Sequence, residues 1–384
     1  MNFDFHFLQK KKVKFEFSPP QPKKILIYDA THFNLLKKFF KNKNQIGILH
    51  TRLEVINLFI LIKCIFNINF KFKAKSYFQE YVNYVRPKIL ITMTDNDVNF
   101  YQIKCNNGKK IFIQNGKRTL FDVFYFLKKN LNYHVDKMFV HNYLIGAKYQ
   151  KFIKGKYTAV GSVKSNFNKI NNHLQSQKGT YLTYISSFRN GYLSKDKFVF
   201  KNIKFKNYIK FEEKLFSLLN IYLKKKKLKL YVLAKYNYQD FELEKNYYLS
   251  FFDKNVVNIV KNHDKRNTFK YLDKSALNIG CESTLLYEAF GRGKKTYFFG
   301  LRGKNKLSKS RNFAWPLVTK EKGFFWNNTM KFDTLEKDLD SMIKISKKKW
   351  ENYFVKYKDK VMKYDYGNKK IKKYLNKTVF LTNS

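Results

Sequence analysis

Apolar and polar positions run along the chain in blocks. A short apolar run is followed by a polar turn, then by a segment whose apolar residues recur at helical spacing. Ile25–Tyr28 (ILIY) predicts a first strand, followed by Asp29-Ala30-Thr31 and a helix over Thr31–Phe40. Gln45–His50 (QIGILH) predicts a second strand. Thr51-Arg52-Leu53-Glu54 then has capping-box spacing: the Thr51 hydroxyl can accept from the Glu54 amide while the Glu54 carboxylate reaches back. A helix is therefore expected to start at Thr51. Lys88–Met93, Lys110–Ile113, Lys137–Val140 and Lys156–Val160 continue the strand series. They end in Thr94-Asp95-Asn96-Asp97, Gln114-Asn115-Gly116, His141-Asn142 and Gly161-Ser162 respectively. Apolar strands alternating with helices imply parallel βαβ units.

Residues 168–179 (NKINNHLQSQKG) are polar and aperiodic, as expected of an interdomain linker. A second α/β series follows, with strands at Tyr181–Ile185, Lys229–Leu233, Leu277–Ile279 and Lys295–Phe299 and an amphipathic helix over Phe211–Lys225. Thr334–Tyr374 is charged and helical in period. The predicted fold class is α/β, with two Rossmann-like domains at 1–167 and 180–333, a linker at 168–179 and a long C-terminal helical segment at 334–384. No repeat of fixed period is present.

Composition changes this picture little. A chain of 384 residues suits two domains, and 44% hydrophobic with 18% aromatic residues supplies two cores. The formal net charge of +50 invites a nucleic-acid reading, but no nucleic-acid motif accompanies it. Lys dominates over the Arg that phosphate-gripping surfaces favour. Residues with AT-rich codons are abundant throughout, which accounts for the lysines without a ligand, so nucleic acid is not the expected partner. A basic surface can still hold a protein against an anionic inner leaflet, at about 1 kcal/mol per well-placed Lys. Cys64, Cys105 and Cys281 have no metal or disulfide spacing, which fits a reducing compartment. The first residues hold no apolar run suited to a signal peptide. Val55–Phe70 (VINLFILIKCIFNINF) is shorter than the ~20 residues of a membrane span and is expected to be a buried helix. A cytoplasmic location follows, with peripheral contact at the inner face of the membrane as an option.

Four segments carry candidate chemistry. In Ser275–Gly293 a strand meets a tight turn at Gly280, and Cys281-Glu282-Ser283-Thr284 opens a helix stopped by Gly291-Arg292-Gly293. Free N–H groups at a helix start make an anion site. Ser283 and Thr284 add hydroxyls, and Glu288 lies one turn beyond Thr284, able to accept from ribose hydroxyls. The plain alternative is a Ser283 cap and a surface Glu288. Asp95 and Asp97 follow a strand at the carboxyl edge of the sheet, where one could act as a general base, or both could form an Asx turn or cap. Asn115 and Arg118 stand in a polar loop, with Arg118 a candidate for an anionic acceptor. His141 follows a strand and is either catalytic or structural. His50 and Glu54 flank another strand end, where the capping role already explains Glu54, and His6, His32, His134, His173 and His263 have no metal-ligand spacing with a carboxylate or cysteine. The Walker, G-x-G-x-x-G, G-x-S-x-G and CxxC patterns are missing, which removes the usual support for kinase, P-loop, dehydrogenase and hydrolase readings.

IGCESTLLYEAFGRGKKTYFFG is similar to the donor-side helix of GT-B glycosyltransferases. PKILITMTDND, KIFIQNG, VDKMFVHN and YTAVGSVKSN more narrowly resemble bacterial surface-carbohydrate (O-antigen and capsule) biosynthesis proteins, and more loosely the CDP-glycerol glycerophosphotransferases. The resemblance spans roughly Lys24–Phe299. It implies two Rossmann-like domains facing across a cleft, an N-terminal acceptor domain and a C-terminal nucleotide-donor domain, with 334–384 returning to the former. It implies a transferase acting from a nucleotide-sugar donor on a polysaccharide or lipid-linked acceptor, with no separate cofactor. Gly280, Glu282, Ser283 and Thr284 would meet the donor phosphates, and Glu288 the ribose. Asp95, or else Asp97, would be the base. No Asp-x-Asp metal motif stands on the donor side, so the resemblance implies metal-independent transfer, with leaving-group charge met by the helix start and by Arg302 or Arg311. The alternatives are a CDP-glycerol or polyol-phosphate transferase, or a non-catalytic protein at a membrane surface or on nucleic acid.

Overall fold

The computed structural model describes residues 13–66, 74–120, 124, 127, 132–170, 181–189, 199–200, 203–204, 206–236, 239–261, 265–300, 309–329 and 331–380. The chain divides into two compact units, residues 1–164 with 368–384, and residues 165–367.

The first unit is built on a six-stranded, all-parallel sheet. Its strands, in spatial order, are Ile46–Leu49, Ile25–Tyr28, Ile89–Thr92, Lys109–Ile113, Tyr133–Val140 and Ile153–Ala159. Ile25–Tyr28 and Ile89–Thr92 are buried at every position. A strand covered on both faces needs apolar residues throughout, which is why these segments read as unbroken apolar runs. The second unit holds a seven-stranded sheet in the order Val257–Val260, Lys229–Leu233, Tyr181–Ile185, Leu277–Gly280, Thr296–Phe299, Trp326–Asn327, Lys322–Gly323. Only the last pair is antiparallel. Phe290, Phe298, Phe313, Phe325, Trp326 and Trp350 interlock in its core.

Two expected helices are corrected. No helix starts at Thr51. Leu53 turns the chain at φ 58°, Glu54 accepts from the Lys14 amide through its backbone oxygen, and Val55–Asn57 pairs in parallel with Lys14–Glu16. Ladder pairing with a distant strand therefore outweighs the local capping box, and Glu54 approaches His50 at 3.8 Å instead. The helix runs from Leu58 to Ile65, capped by the Asn57 side chain on the Ile60 amide. It buries Ile60 and Cys64 but leaves Ile62, Ile65 and the following Phe66 exposed, so it is not the fully buried helix expected of Val55–Phe70.

The C-terminal segment is three helices, Leu335–Lys344, Lys347–Val361 and Lys369–Phe380. The first two belong to the second unit and only the last to the first, so the return expected of 334–384 is limited to its final helix. The Trp350 indole donates to the Gly293 carbonyl at 2.7 Å, anchoring the middle helix. Gly367 and Asn368, at φ 73° and 55°, then break the helical path between the units. Such left-handed positions suit Gly and Asn and cannot continue a helix. The boundary on the other side falls between Lys164 and Ser165, earlier than the expected linker, of which residues 171–179 lie outside the described residues.

Candidate functional site

In the second sheet the sequence order reverses between Tyr181–Ile185 and Leu277–Gly280. Open α/β sheets bind ligands outside the carboxyl ends of the strands at such a switch point. The register places Ile185 opposite both Gly280 and Leu233, so Ser186, Ala234 and Cys281 leave the sheet side by side. Gly280 fits closely, since a Cβ there would stand 3.2 Å from the Ile185 carbonyl oxygen. Ser283 then heads the helix Thr284–Gly291 in extended backbone, and its hydroxyl makes no capping hydrogen bond. Helix starts leave unbonded N–H groups and a positive dipole end. A half-buried hydroxyl not spent on the cap sits at this start. Glu282 accepts from Arg311 at 2.7 Å, so this carboxylate does not repel an anion as a bare charge would. Thr284 is half-buried and Glu288 is buried within the helix, not on the surface. Arg302 lies outside the described residues.

Two buried carboxylates that sequence reasoning missed shape this edge. Glu244 accepts from the Ser186 hydroxyl and from the amides of Lys235 and Tyr236, and Tyr248 donates to Ser186 at 2.8 Å. Glu212 accepts from Tyr184 at 2.6 Å and Ser187 at 2.9 Å. Burial pushes the Glu244 carboxyl above its ordinary value despite these bonds. Lys235 reaches the Phe188 carbonyl, and burial first, then the Arg189 charge, lowers its ammonium. Ser186, Ser187 and Lys235 follow predicted strands directly. Only the strand order shows that they meet.

The first sheet has its own switch point, between Ile25–Tyr28 and Ile89–Thr92. Asp97 lies there, half-buried. It accepts from the Tyr28 phenol at 2.7 Å and caps Val98–Gln102 through the Asn99 amide. Its carboxyl is raised, by burial first and then by the neighbouring Asp29 charge, against the bonds from Tyr28 and Asn99. Asp29 adopts φ 79°, a left-handed backbone uncommon for any residue but Gly. It accepts from the Thr31 amide and hydroxyl and pairs with Arg52 at 3.3 Å. Burial raises its carboxyl, but the Thr31 bonds and Arg52 carry it below the ordinary value. Sequence reasoning passed over Asp29 as a turn residue.

Asp95 is different, and the expectation of a base there is corrected. It is fully buried. It accepts from Arg118 through Nε at 2.8 Å and Nη2 at 2.5 Å, from Tyr149 at 2.6 Å and from the Asn115 amide at 3.1 Å. Burial alone would raise this carboxyl, but Arg118 and the hydrogen bonds hold it below the ordinary value. A carboxylate so engaged is a weak proton acceptor. Arg118 correspondingly spends two of its donors on Asp95 and does not present its fork to an acceptor. Asn115 is half-buried and accepts from Lys164 at 3.0 Å. His141 is buried and its amide donates to Gln114. Its Nε2 has no hydrogen-bond partner, and burial pulls the imidazole down to about 3 against the pull of Asp95. It is therefore neutral at neutral pH. Among the described residues, no group of three His, Cys, Asp or Glu side chains could hold a metal ion, and no helix is long and apolar enough to cross a membrane.

A family model described as "putative O-antigen biosynthesis protein" matches residues 111–379. No curated protein sequence matches the chain. Among solved structures, the wall teichoic acid polymerase TagF is similar over 96% of this chain and 91% of its own, at 10% identity and a TM-score of 0.51. A TagF variant soaked with CDPG is similar over 96% and 90%, at 10% identity and a TM-score of 0.51. The fold is thus the two-domain α/β architecture of GT-B type, each domain built on its own Rossmann-like sheet.

Proposed function

Because the chain belongs to this O-antigen biosynthesis family, we propose that it is a glycosyltransferase of surface-carbohydrate assembly. It moves a sugar from a nucleotide-sugar donor to a polysaccharide or lipid-linked acceptor. The observation that carries the reading is the Gly280–Thr284 helix start at the switch point of the second sheet. Donor phosphates would rest on the N–H groups of that start, with Ser283 and Thr284 donating hydroxyls. Preorganised donors of this kind stabilise the charge that develops on a departing diphosphate. Transfer without a metal is part of the proposal, as is Asp97 as the carboxylate that takes the acceptor proton. Asp97 is the better placed of the two aspartates because its raised, half-buried carboxyl lies at a switch point. Asp95, Arg118 and Asn115 would hold the loops around it.

Titration of the purified protein with UDP, GDP, CDP and CMP compounds tests the donor site. No binding by any of them at millimolar concentration sinks the proposal. A second reading, transfer of glycerol phosphate or a polyol phosphate from a CDP donor, draws support from the likeness to TagF, whose variant was soaked with CDPG. Binding restricted to CDP compounds would favour it. For the base, Asp97→Asn should leave nucleotide affinity unchanged and lower turnover by ~10². Full turnover in that variant removes Asp97 from the role.

A further inference from the structure

The helix Leu58–Ile65 is apolar apart from Lys63, yet buries only one face. Ile60 and Cys64 are 0% and 3% exposed, while Ile62, Ile65 and Phe66 are 51%, 55% and 81% exposed. Positions 62, 65 and 66 share one helical face, opposite the buried one. The neighbouring strand Lys14–Glu16 adds Phe15, and Phe17 follows it, at 47% and 76% exposed. That strand pairs with Val55–Asn57 immediately before the helix, and the Asn57 side chain that caps the helix also donates to the Ser18 carbonyl at 2.8 Å. Five exposed apolar side chains are thus tied to one corner of the first unit. Large apolar side chains left exposed together in this way mark a docking site.

The charge around it selects the partner. Lys14, Lys63, Lys75 and Arg86 are exposed in the same stretch of chain, against the exposed carboxylate Glu16 and the half-buried Glu54 and Glu80. Lys63 lies over the rings of Phe59 and Tyr84 and, with Arg86 and Glu80, lines a groove beside the helix. Residues 1–100 carry 17 Lys and Arg against 7 Asp and Glu. Apolar side chains flanked by cations match an anionic bilayer, in which the rings and branched chains enter the acyl boundary and the ammonium groups meet lipid phosphates. A self-associating apolar face would gain nothing from that excess of like charge.

We infer that the corner formed by Phe15, Phe17, Ile62, Ile65 and Phe66 docks the first unit onto an anionic membrane surface. Its biological sense rests on the proposed lipid-linked acceptor, which would then be met at the bilayer. Co-sedimentation of the full chain with phosphatidylglycerol-containing and pure phosphatidylcholine vesicles tests it, alongside nucleotide titration of the same samples. Wild type should partition at least tenfold more strongly onto the anionic vesicles. Ile65→Ser with Phe66→Ser should lower that partition at least tenfold, with nucleotide binding and thermal midpoint unchanged because both side chains are exposed. Lys63→Gln should lower it less and reduce its salt dependence. Equal binding by the double variant would overturn the inference. So would a concentration-dependent dimer that the double variant dissolves and that does not bind vesicles. Loss of nucleotide binding with vesicle binding retained would count against the transferase reading alone.

Discussion

The two units solve one problem with different chemistry. Each has loops leaving the carboxyl edge of a parallel sheet, and each ties them with a buried carboxylate assisted by a tyrosine. In the first unit Asp95 holds the Asn115 amide, Tyr149 and the Arg118 fork. In the second, Glu244 holds the Lys235 and Tyr236 amides and Ser186, which Tyr248 also reaches. Only Asp95 has a guanidinium in contact. That one difference sends the Asp95 carboxyl below its ordinary value and leaves burial to raise Glu244. A counter-charge at hydrogen-bond distance can repay desolvation, whereas neutral donors repay it only in part. The first edge is consequently closed by ion pairing around Asp95. The second keeps a helix start with an uncommitted Ser283 hydroxyl.

The largest effect that would break this comparison is expected at Asp95. Asp95→Asn leaves Arg118 buried without its partner and should cost about 3–5 kcal/mol in denaturant unfolding. A loss under about 1 kcal/mol would show that the ion pair does not hold this edge. Glu244→Gln should cost less, about 1–3 kcal/mol, because an amide nitrogen must then face a backbone donor. The pH signatures should oppose each other. The Asp95 contribution is present above the unfolded aspartate value and is lost as pH falls through the lowered folded value. The Glu244 contribution is present below the unfolded glutamate value and is lost as pH rises through the raised folded value. Unfolding curves of the two variants between pH 3 and 7 should therefore flatten opposite limbs, and flattening of the same limb would refute the contrast.

A smaller effect is expected at His141. Its imidazole binds a proton in the unfolded chain near its ordinary 6.5 but in the fold only at about 3. Stability should therefore fall as pH drops across that window. His141→Asn should remove that part of the acid sensitivity, and an unchanged pH profile would mean the imidazole is not held neutral. The smallest stability effect belongs to Ser283. Its hydroxyl makes no cap, so Ser283→Ala should shift unfolding by under about 0.5 kcal/mol while weakening nucleotide binding about tenfold. A large stability loss with intact binding would make it a cap after all.

Much of the fold was legible in the chain. Strands Ile25–Tyr28, Ile89–Thr92 and Leu277–Gly280 announce themselves because doubly covered strands admit only apolar residues. The helix opening at Ser283-Thr284 announces itself because a turn glycine, hydroxyl residues and good helix formers stand in sequence. The Thr51 helix failed because capping is worth about 1 kcal/mol, and a remote strand offered a full ladder to the same residues. The Asp95 assignment failed because Arg118 and Asn115, from one loop, and Tyr149, from a later helix, converge on it.

The sequence by itself determined which segments become strands, that they form parallel α/β units, and which polar residues end at strand edges. Periodicity and turn chemistry are local, so they can be read along the chain. Tertiary structure alone decided the strand order, and with it the switch points that bring Ser186 beside Cys281 and Asp97 beside Tyr28. It also decided which carboxylate finds a guanidinium. Protonation and hydrogen bonding depend on neighbours tens of residues away, and only folding supplies them.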